Sequence, residues 1–119
     1  MPAWSLTADQ AILTALGNDV GFDLVFSRQL IARAGSDDIA VAMSTSGTSA
    51  DLLLALREAH NRGMYTIGFA GYDGGDFIAN PDVDVCFVVR SQSVHRIQES
   101  QAILGYQLWA AVQAEQGPR

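Results

Sequence analysis

The sequence predicts an α/β fold with a three-layer α/β/α arrangement around a parallel sheet. Short apolar runs of strand length alternate with segments whose apolar residues recur at helical spacing, the pattern of β-α-β crossovers. Residues 37–45 contain a continuous apolar run, which is typical of a strand buried on both faces of a parallel sheet. A length of 119 residues, without a linker or a repeat, suits one small domain.

Four elements are predicted in the first half of the chain. Residues 3–8 (AWSLTA) are β-prone and predict a first short strand. A helix over 9–19 begins at a capping aspartate, and a second helix over 21–35 ends at Gly35. The apolar run within 37–45 then forms the next strand.

The second half continues the alternation with short connections. The predicted elements are a helix at 50–62 capped by Ser49, strands at 64–71 and 83–89, a turn-rich loop at 72–82 whose glycines serve tight turns, and a long helix at 93–116. The apolar residues of the long helix are expected mostly on one side, and they are Ile97, Ile103, Leu104, Leu108 and Val112. Strands and helices that alternate in this way predict parallel neighbours in one sheet.

Composition and charge argue against several classes of protein. A net charge of −6 and a pI near 4.5 disfavour a nucleic-acid-binding surface, which needs clustered lysine and arginine. No apolar run approaches the roughly 18 residues of a membrane span, and the N-terminus lacks the features of a signal peptide. The single cysteine, Cys86, is interpreted as a buried strand residue. We therefore expect a cytoplasmic protein without nucleic-acid or membrane partners.

The most distinctive segment is the hydroxyl-rich loop STSGTS at residues 44–49, between a predicted strand and a predicted helix. Ligands of open α/β sheets bind at the carboxyl ends of strands, and the free N–H groups of a helix N-terminus favour an anion there. Gly47 lets the backbone approach a ligand closely. The hydroxyls that can each donate a hydrogen bond are those of Ser44, Thr45, Ser46 and Ser49. A phosphate monoester would satisfy these donors.

Other interpretations of this loop have less support. A nucleotide P-loop needs a lysine before its last hydroxyl residue, a serine nucleophile elbow needs G-x-S-x-G, and a dinucleotide site needs three spaced glycines; the loop has none of these. A loop whose hydroxyls only cap the following helix stays an open alternative, although one serine at the cap would suffice for that role.

Several motifs occur together in one order. They are GNDVGFDLVFSRQL (17–30), STSGTSADLLLALREAHNRGM (44–64), DGGDF (73–77) and HRIQES (95–100). With these motifs the chain resembles the sugar isomerase (SIS) domain family and, within it, the phosphoheptose isomerases, which convert sedoheptulose 7-phosphate to a heptose 7-phosphate. The resemblance runs from residue 2 to about residue 115 and implies a flavodoxin-like strand order and a sugar-phosphate ligand.

The resemblance also implies roles for individual residues. Those that match the phosphate-binding hydroxyls of the family are Ser44, Thr45, Ser46 and Ser49. Asp19, in GND, matches an acidic residue that contacts the sugar, and Gln98, in RIQE, matches a residue that lines the active site. In zinc-containing members the residue at the position of Gln98 is a metal ligand, so zinc is implied by the resemblance alone. The residues themselves predict no cofactor and no metal site, because histidine and cysteine are not clustered.

The sequence departs from the family pattern in two places. The family domain normally starts with a helix, a strand, a glycine-rich loop and the helix that carries the catalytic glutamate. Residues 1–119 are therefore expected to be a single, incomplete SIS domain that lacks the first βα unit. In the family sheet the lacking strand lies between the first two strands of this chain, which predicts unpaired strand edges. Tyr106 occupies the position at which the family has its catalytic histidine. Gln101 occupies a second histidine position of the family, closer to the RIQE motif.

The catalytic residues are thus unknown, and hypotheses from three classes stay open. Aldose–ketose isomerisation needs a base and an acid on either side of the substrate, and the weak candidates are Tyr106, His95 and Glu99. Each also has a structural interpretation, as a packing residue for Tyr106 and as helix-surface residues for the other two. The alternatives to an isomerase are a non-catalytic sugar-phosphate sensor and an oligomeric protein-interaction module. The apolar last helix predicts a homo-oligomer, a dimer or a tetramer.

Overall fold

A parallel sheet of three strands forms the centre of the structure. The computed structural model describes residues 1–118. The strands are β1 (Ile39–Met43), β2 (Tyr65–Gly71) and β3 (Val85–Val89), in the spatial order β1-β2-β3. Both pairs are parallel, and their register aligns Met43 with Phe69 and Phe69 with Phe87. The predicted parallel α/β fold is confirmed.

Residues 1–118 also form four α-helices and two short 3-10 turns. The helices are α1 (Gln10–Asp19), α2 (Ser27–Arg33), α3 (Ala50–Asn61) and α4 (Val94–Gln116), and the 3-10 turns are Phe22–Leu24 and Gly75–Phe77. Among the described residues, no helix combines the length and the apolar composition that crossing a membrane requires.

The two faces of the sheet carry different helices, which gives the three layers. Ala42 of β1 packs with Leu56 of α3 and with Phe77 in one buried cluster. Side chains alternate between the faces of a strand, so the neighbouring Met43 points to the opposite face, where its Cε lies beside Gly105 of α4. Helix α3 therefore covers one face and α4 the other.

The predicted first strand over 3–8 is wrong, because these residues form no strand. The Ser5 hydroxyl accepts a hydrogen bond from the Thr7 N–H, and the Ser5 carbonyl accepts one from the Ala8 N–H, so local bonds close a turn in place of a ladder. A strand also needs a neighbouring strand, and the outer edge of β1 has none among residues 1–118.

The helix predicted over 21–35 is divided in two. A 3-10 turn at Phe22–Leu24 precedes α2, and Gly21 enters that turn with a φ of +143°. Phe22 at the start of this turn is 70% exposed, whereas Val25 directly after the turn is fully buried. Helix α2 then ends at Arg33, two residues before the predicted stop.

The predicted burial of the 37–45 strand on both faces is wrong. Strand β1 is an edge strand whose residues Ile39, Val41 and Met43 are exposed, because α4 reaches only part of that face. In α4, Ile97 is buried and Leu104 half-buried, whereas Ile103 is exposed. Cys86 in β3 is half-buried, and this burial raises the pKa of its thiol, which suits a packing residue and disfavours a reactive thiolate.

Candidate phosphate-binding site

The hydroxyl-rich loop 44–49 connects the carboxyl end of β1 to the first turn of α3. The Ser44 N–H donates to the Phe69 carbonyl at 2.9 Å, which extends the β1–β2 pairing into the loop. The buried Ser44 hydroxyl accepts a hydrogen bond from the Gly47 N–H at 2.9 Å and lies 3.4 Å from the Ser49 hydroxyl. The loop therefore turns tightly around Ser44.

Three carbonyl groups of this loop are bonded to donors from outside it. The bonds run from Gln101 Nε2 to Ser44 O (2.7 Å), from Gly71 N to Thr45 O (2.8 Å) and from Asp76 N to Gly47 O (3.0 Å). Their donors lie on α4, at the end of β2 and in the turn after β2. These three carbonyl oxygens are thus occupied within the protein, while the first N–H groups of α3 have no intrahelical acceptor. Free N–H groups of this kind favour an anion.

Glycines of the DGG segment allow the turn after β2 to lie directly against the hydroxyl-rich loop. A Cβ on Gly47, whose φ is +72°, would collide with the Gly74 carbonyl. A Cβ on Gly75, whose φ is +54°, would collide with the Ser46 carbonyl. These glycines do serve a turn, as predicted, but they also permit a close approach that the sequence could not indicate, because it depends on which loop lies opposite.

The hydroxyl groups of the loop divide into two kinds. Ser44 and Ser46 support the loop itself, since their oxygens accept hydrogen bonds from the N–H groups of Gly47 and Thr48. Ser49 occupies the N-cap position of α3, but its side chain makes no capping hydrogen bond. A loop built only to cap the helix would use that hydroxyl, so its state favours a ligand-binding interpretation.

The loop and the first turn of α3 contain no basic side chain. No lysine or arginine occurs between Ser44 and Leu54, and Asp51 lies in the first turn of α3. The Asp51 carboxylate accepts a hydrogen bond from the Leu52 N–H at 2.9 Å. The helix dipole and the neutral donors are therefore the attraction for an anion.

The structure does not bring the predicted sugar-contacting residues into hydrogen-bond contact with the loop. Asp19 is exposed at the end of α1, where its carboxylate accepts a bond from Asn18 Nδ2 at 2.8 Å. Gln98 is exposed on α4, one turn before Gln101. Within residues 1–118, neither Asp19 nor Gln98 is bonded to residues 44–49, so their predicted roles stay predictions.

The three weak catalytic candidates all lie on the surface of α4. His95 and Glu99 are exposed in its first two turns. Tyr106 is 62% exposed, and its ring centroid lies 5.7 Å from that of Trp109 in a tilted arrangement. The described residues thus offer no buried acid or base beside the loop.

The donor set does not fit the zinc ion that the resemblance implies. Zinc in proteins is held by several histidine, cysteine or carboxylate ligands that converge on one point. Across the part of the chain that the structure describes, no three such residues are grouped around one position. Gln98 alone does not make a metal site.

Comparisons with known proteins agree with this geometry. The family model "SIS domain" matches residues 1–71. The chain is 46% identical over 99 residues to a phosphoheptose isomerase of Roseiflexus sp., covering 83% of this chain and 49% of that protein. It is 48% identical to the phosphoheptose isomerase of Geobacter metallireducens, covering 83% of this chain and 51% of that protein.

Solved structures give the same result. Phosphoheptose isomerase GmhA from Neisseria gonorrhoeae superposes with a TM-score of 0.89 and 41% identity, covering 93% of this chain and 62% of that one. A phosphoheptose isomerase from Francisella tularensis has a TM-score of 0.83 and 37% identity, covering 90% and 56%. The chain spans about half the length of the curated relatives it matches. Motifs, fold and loop geometry lead to one conclusion: this chain belongs to the SIS domain family.

Proposed function

We propose that the chain is a single, incomplete SIS domain, phosphoheptose-isomerase-like in kind, that binds a sugar phosphate by holding its phosphate group at residues 44–49. The observation that carries the proposal is the Ser49 hydroxyl, which caps no N–H of α3 and has only a long contact of 3.4 Å, to the Ser44 hydroxyl, at a helix N-terminus whose preceding loop has three occupied carbonyl groups. The names of the relatives indicate a phosphorylated heptose as the ligand. A cytoplasmic location belongs to the proposal, since the single cysteine suits a reducing compartment.

In this proposal the phosphate group accepts hydrogen bonds from two kinds of donor. The free N–H groups at the start of α3 point along the positive end of the helix dipole. The hydroxyls of Thr45 and Ser49 donate to the phosphate oxygens, and Ser49 is available because it caps no N–H of α3. Ser44 and Ser46 keep the loop in shape and take part mainly through that role.

Removal of the Ser49 hydroxyl tests this site. We expect Ser49→Ala to weaken the binding of sedoheptulose 7-phosphate about tenfold, because a hydrogen bond to a charged group contributes roughly 1.5 kcal/mol or more. Its effect on thermal stability should be small, because the hydroxyl caps nothing in the free chain. Isothermal titration calorimetry and thermal unfolding measure the two effects.

Ser93→Ala is the matched control for this experiment. The Ser93 hydroxyl does cap a helix, since it accepts a hydrogen bond from the Arg96 N–H at the start of α4. We expect this variant to lose roughly 1 kcal/mol of stability and to keep its affinity for the ligand. Wild-type protein that does not bind, or Ser49→Ala that binds as tightly as wild type, would refute the proposed site.

A non-catalytic sensor is the second candidate function, favoured by the exposure of Tyr106, His95 and Glu99 on α4. Isomerisation moves a proton between adjacent carbons and needs a base and an acid on either side of the substrate. This chain is therefore expected to bind sedoheptulose 7-phosphate without turnover above background in a coupled isomerase assay. Turnover by this chain would favour the isomerase.

We propose further that the chain forms a homo-oligomer, a dimer or a tetramer. The unpaired edge of β1 opens into an apolar groove of about 980 Å³ whose lining includes Val41, Trp4 and Trp109. Val41 is 53% exposed there, and exposed apolar residues grouped beside an open strand edge are typical of an interface.

Sedimentation velocity at micromolar concentration measures the oligomeric state. We expect wild-type chain to sediment as more than one 12.7 kDa unit and Val41→Lys to sediment as a monomer, because the lysine charge would be desolvated in the interface. Val20→Lys is the control, since Val20 is 46% exposed but lies outside the groove. A monomeric wild type would contradict the proposal.

A further inference from the structure

We propose that Gln101 is a positioning residue for the phosphate group, and this inference rests on the proposed function of residues 44–49. Its carboxamide orients the peptide unit between Ser44 and Thr45 so that the carbonyl faces α4 and the N–H faces the bound phosphate. A glutamine on the last helix thereby determines that the peptide unit after Ser44, 57 residues earlier in the chain, presents its N–H and not its carbonyl to the ligand.

The bond that carries this role is short and shielded from water. Gln101 is only 7% exposed, and its Nε2 donates to the Ser44 carbonyl at 2.7 Å. Ile97, one turn earlier on α4, is fully buried and packs beside Gly71, which fixes the helix against the sheet at this point. The Gln101 side chain is thus held in place from a rigid element, and its donor has a defined acceptor.

The hydrogen bond to the Ser44 carbonyl also fixes the direction of the next N–H group, because both belong to one peptide unit. A trans peptide is planar, so its carbonyl and its N–H point in opposite directions. When Gln101 fixes the Ser44 carbonyl toward α4, the Thr45 N–H must point away from α4. In the same way the bond from Gly71 to the Thr45 carbonyl directs the Ser46 N–H. Of the three donors that hold the loop carbonyls, Gln101 alone uses a side chain, so it alone can be changed without changing the main chain.

Loss of the carboxamide donor has a specific consequence for an anion. The Ser44 carbonyl would be buried without its partner, and the peptide unit could rotate to present its oxygen to the phosphate group. A carbonyl oxygen repels a phosphate, whereas the N–H that it replaces attracts one. The effect therefore falls on affinity and not only on stability.

Two substitutions at this position and two controls test the inference. We expect Gln101→Leu to bind sedoheptulose 7-phosphate about three- to tenfold more weakly than wild type, the effect of one hydrogen bond. Gln107→Leu makes the same change on the exposed side of the same helix and should bind as wild type does. Calorimetric titration gives the dissociation constants, and circular dichroism checks that each variant is folded.

Gln101→Glu adds a readout that a purely structural role would not produce. At pH 8 the introduced carboxylate cannot donate to the Ser44 carbonyl, and binding should be weaker than for Gln101→Leu. As the pH falls toward 5, the carboxyl group takes up a proton and regains a donor, and burial favours this uptake because it raises the pKa of a carboxyl group. The ratio of its dissociation constant to that of wild type should fall toward one, while the ratio for Gln107→Glu should stay near one throughout. Dividing by the wild-type value removes the titration of the phosphate itself.

Each outcome separates this inference from the proposed function. Absence of binding by wild type would overturn the proposed function and the role of Gln101 with it. Binding by wild type with unchanged affinity in Gln101→Leu would overturn only the role of Gln101. If Gln101→Leu does not fold, the pH series of Gln101→Glu decides, and a ratio that does not change with pH would overturn the inference.

Discussion

Gly47→Ala is expected to destabilise the chain by about 3 kcal/mol and to abolish phosphate binding, because two unfavourable effects coincide at this residue. The φ of +72° lies in the region that side chains rarely adopt. A Cβ at this position would also meet the Gly74 carbonyl, which is main chain and cannot rotate away, and the Ala70 Cβ at 3.2 Å. The loop would have to move away from the turn after β2, and the bond from the Asp76 N–H to the Gly47 carbonyl would break.

Gly117→Ala separates the two effects. Gly117 has nearly the same φ, +74°, but no heavy atom lies within 4 Å of the position of its Cβ. Conformational strain alone remains there, at the end of α4, and we expect a loss of about 1 kcal/mol or less with unchanged affinity for ligand. Urea denaturation followed by circular dichroism gives both stabilities. Equal effects of the two substitutions would show that the contact between the loops contributes nothing.

Phe77→Ala is expected to cost about 3–5 kcal/mol, the usual range for removing a buried phenylalanine side chain. Phe77 is 1% exposed and packs in the cluster of Ala42, Leu56 and Ala70. It follows directly after Asp76, whose N–H holds the Gly47 carbonyl, so the buried ring anchors the turn that supports the site. Affinity for sedoheptulose 7-phosphate should therefore fall together with stability.

Phe22→Ala provides the comparison, because Phe22 is 70% exposed on its 3-10 turn. Phe22→Ala removes the same atoms as Phe77→Ala, but most of them are already in contact with water in the folded chain. We therefore expect the free energy of unfolding to change by no more than about 0.5 kcal/mol. The same urea titration measures both variants. A small loss for Phe77→Ala would mean that the cluster repacks around the vacant volume and does not anchor the turn.

The elements that the sequence predicted correctly are those specified by local patterns. The strands at β2 and β3 and the helices α3 and α4 have apolar periodicity and end signals within a dozen or so residues, such as Gly63, whose φ of +78° ends α3. The hydroxyl-rich loop was recognisable for the same reason, since its six residues are consecutive. Residues 3–8 failed because a strand depends on a partner strand elsewhere, and β-prone composition does not supply one.

The sequence by itself determined the parallel α/β class, the SIS resemblance and the loop 44–49, because each depends on residues that are close together in the chain. Only the tertiary structure decided which groups hold that loop. Gln101 and Ser44 are 57 residues apart, and the contact between Gly47 and Gly74 joins two loops whose packing no local pattern describes. The physical reason is that hydrogen bonds and close backbone contacts between distant segments depend on how helix and sheet pack, which the spacing of neighbouring residues does not encode.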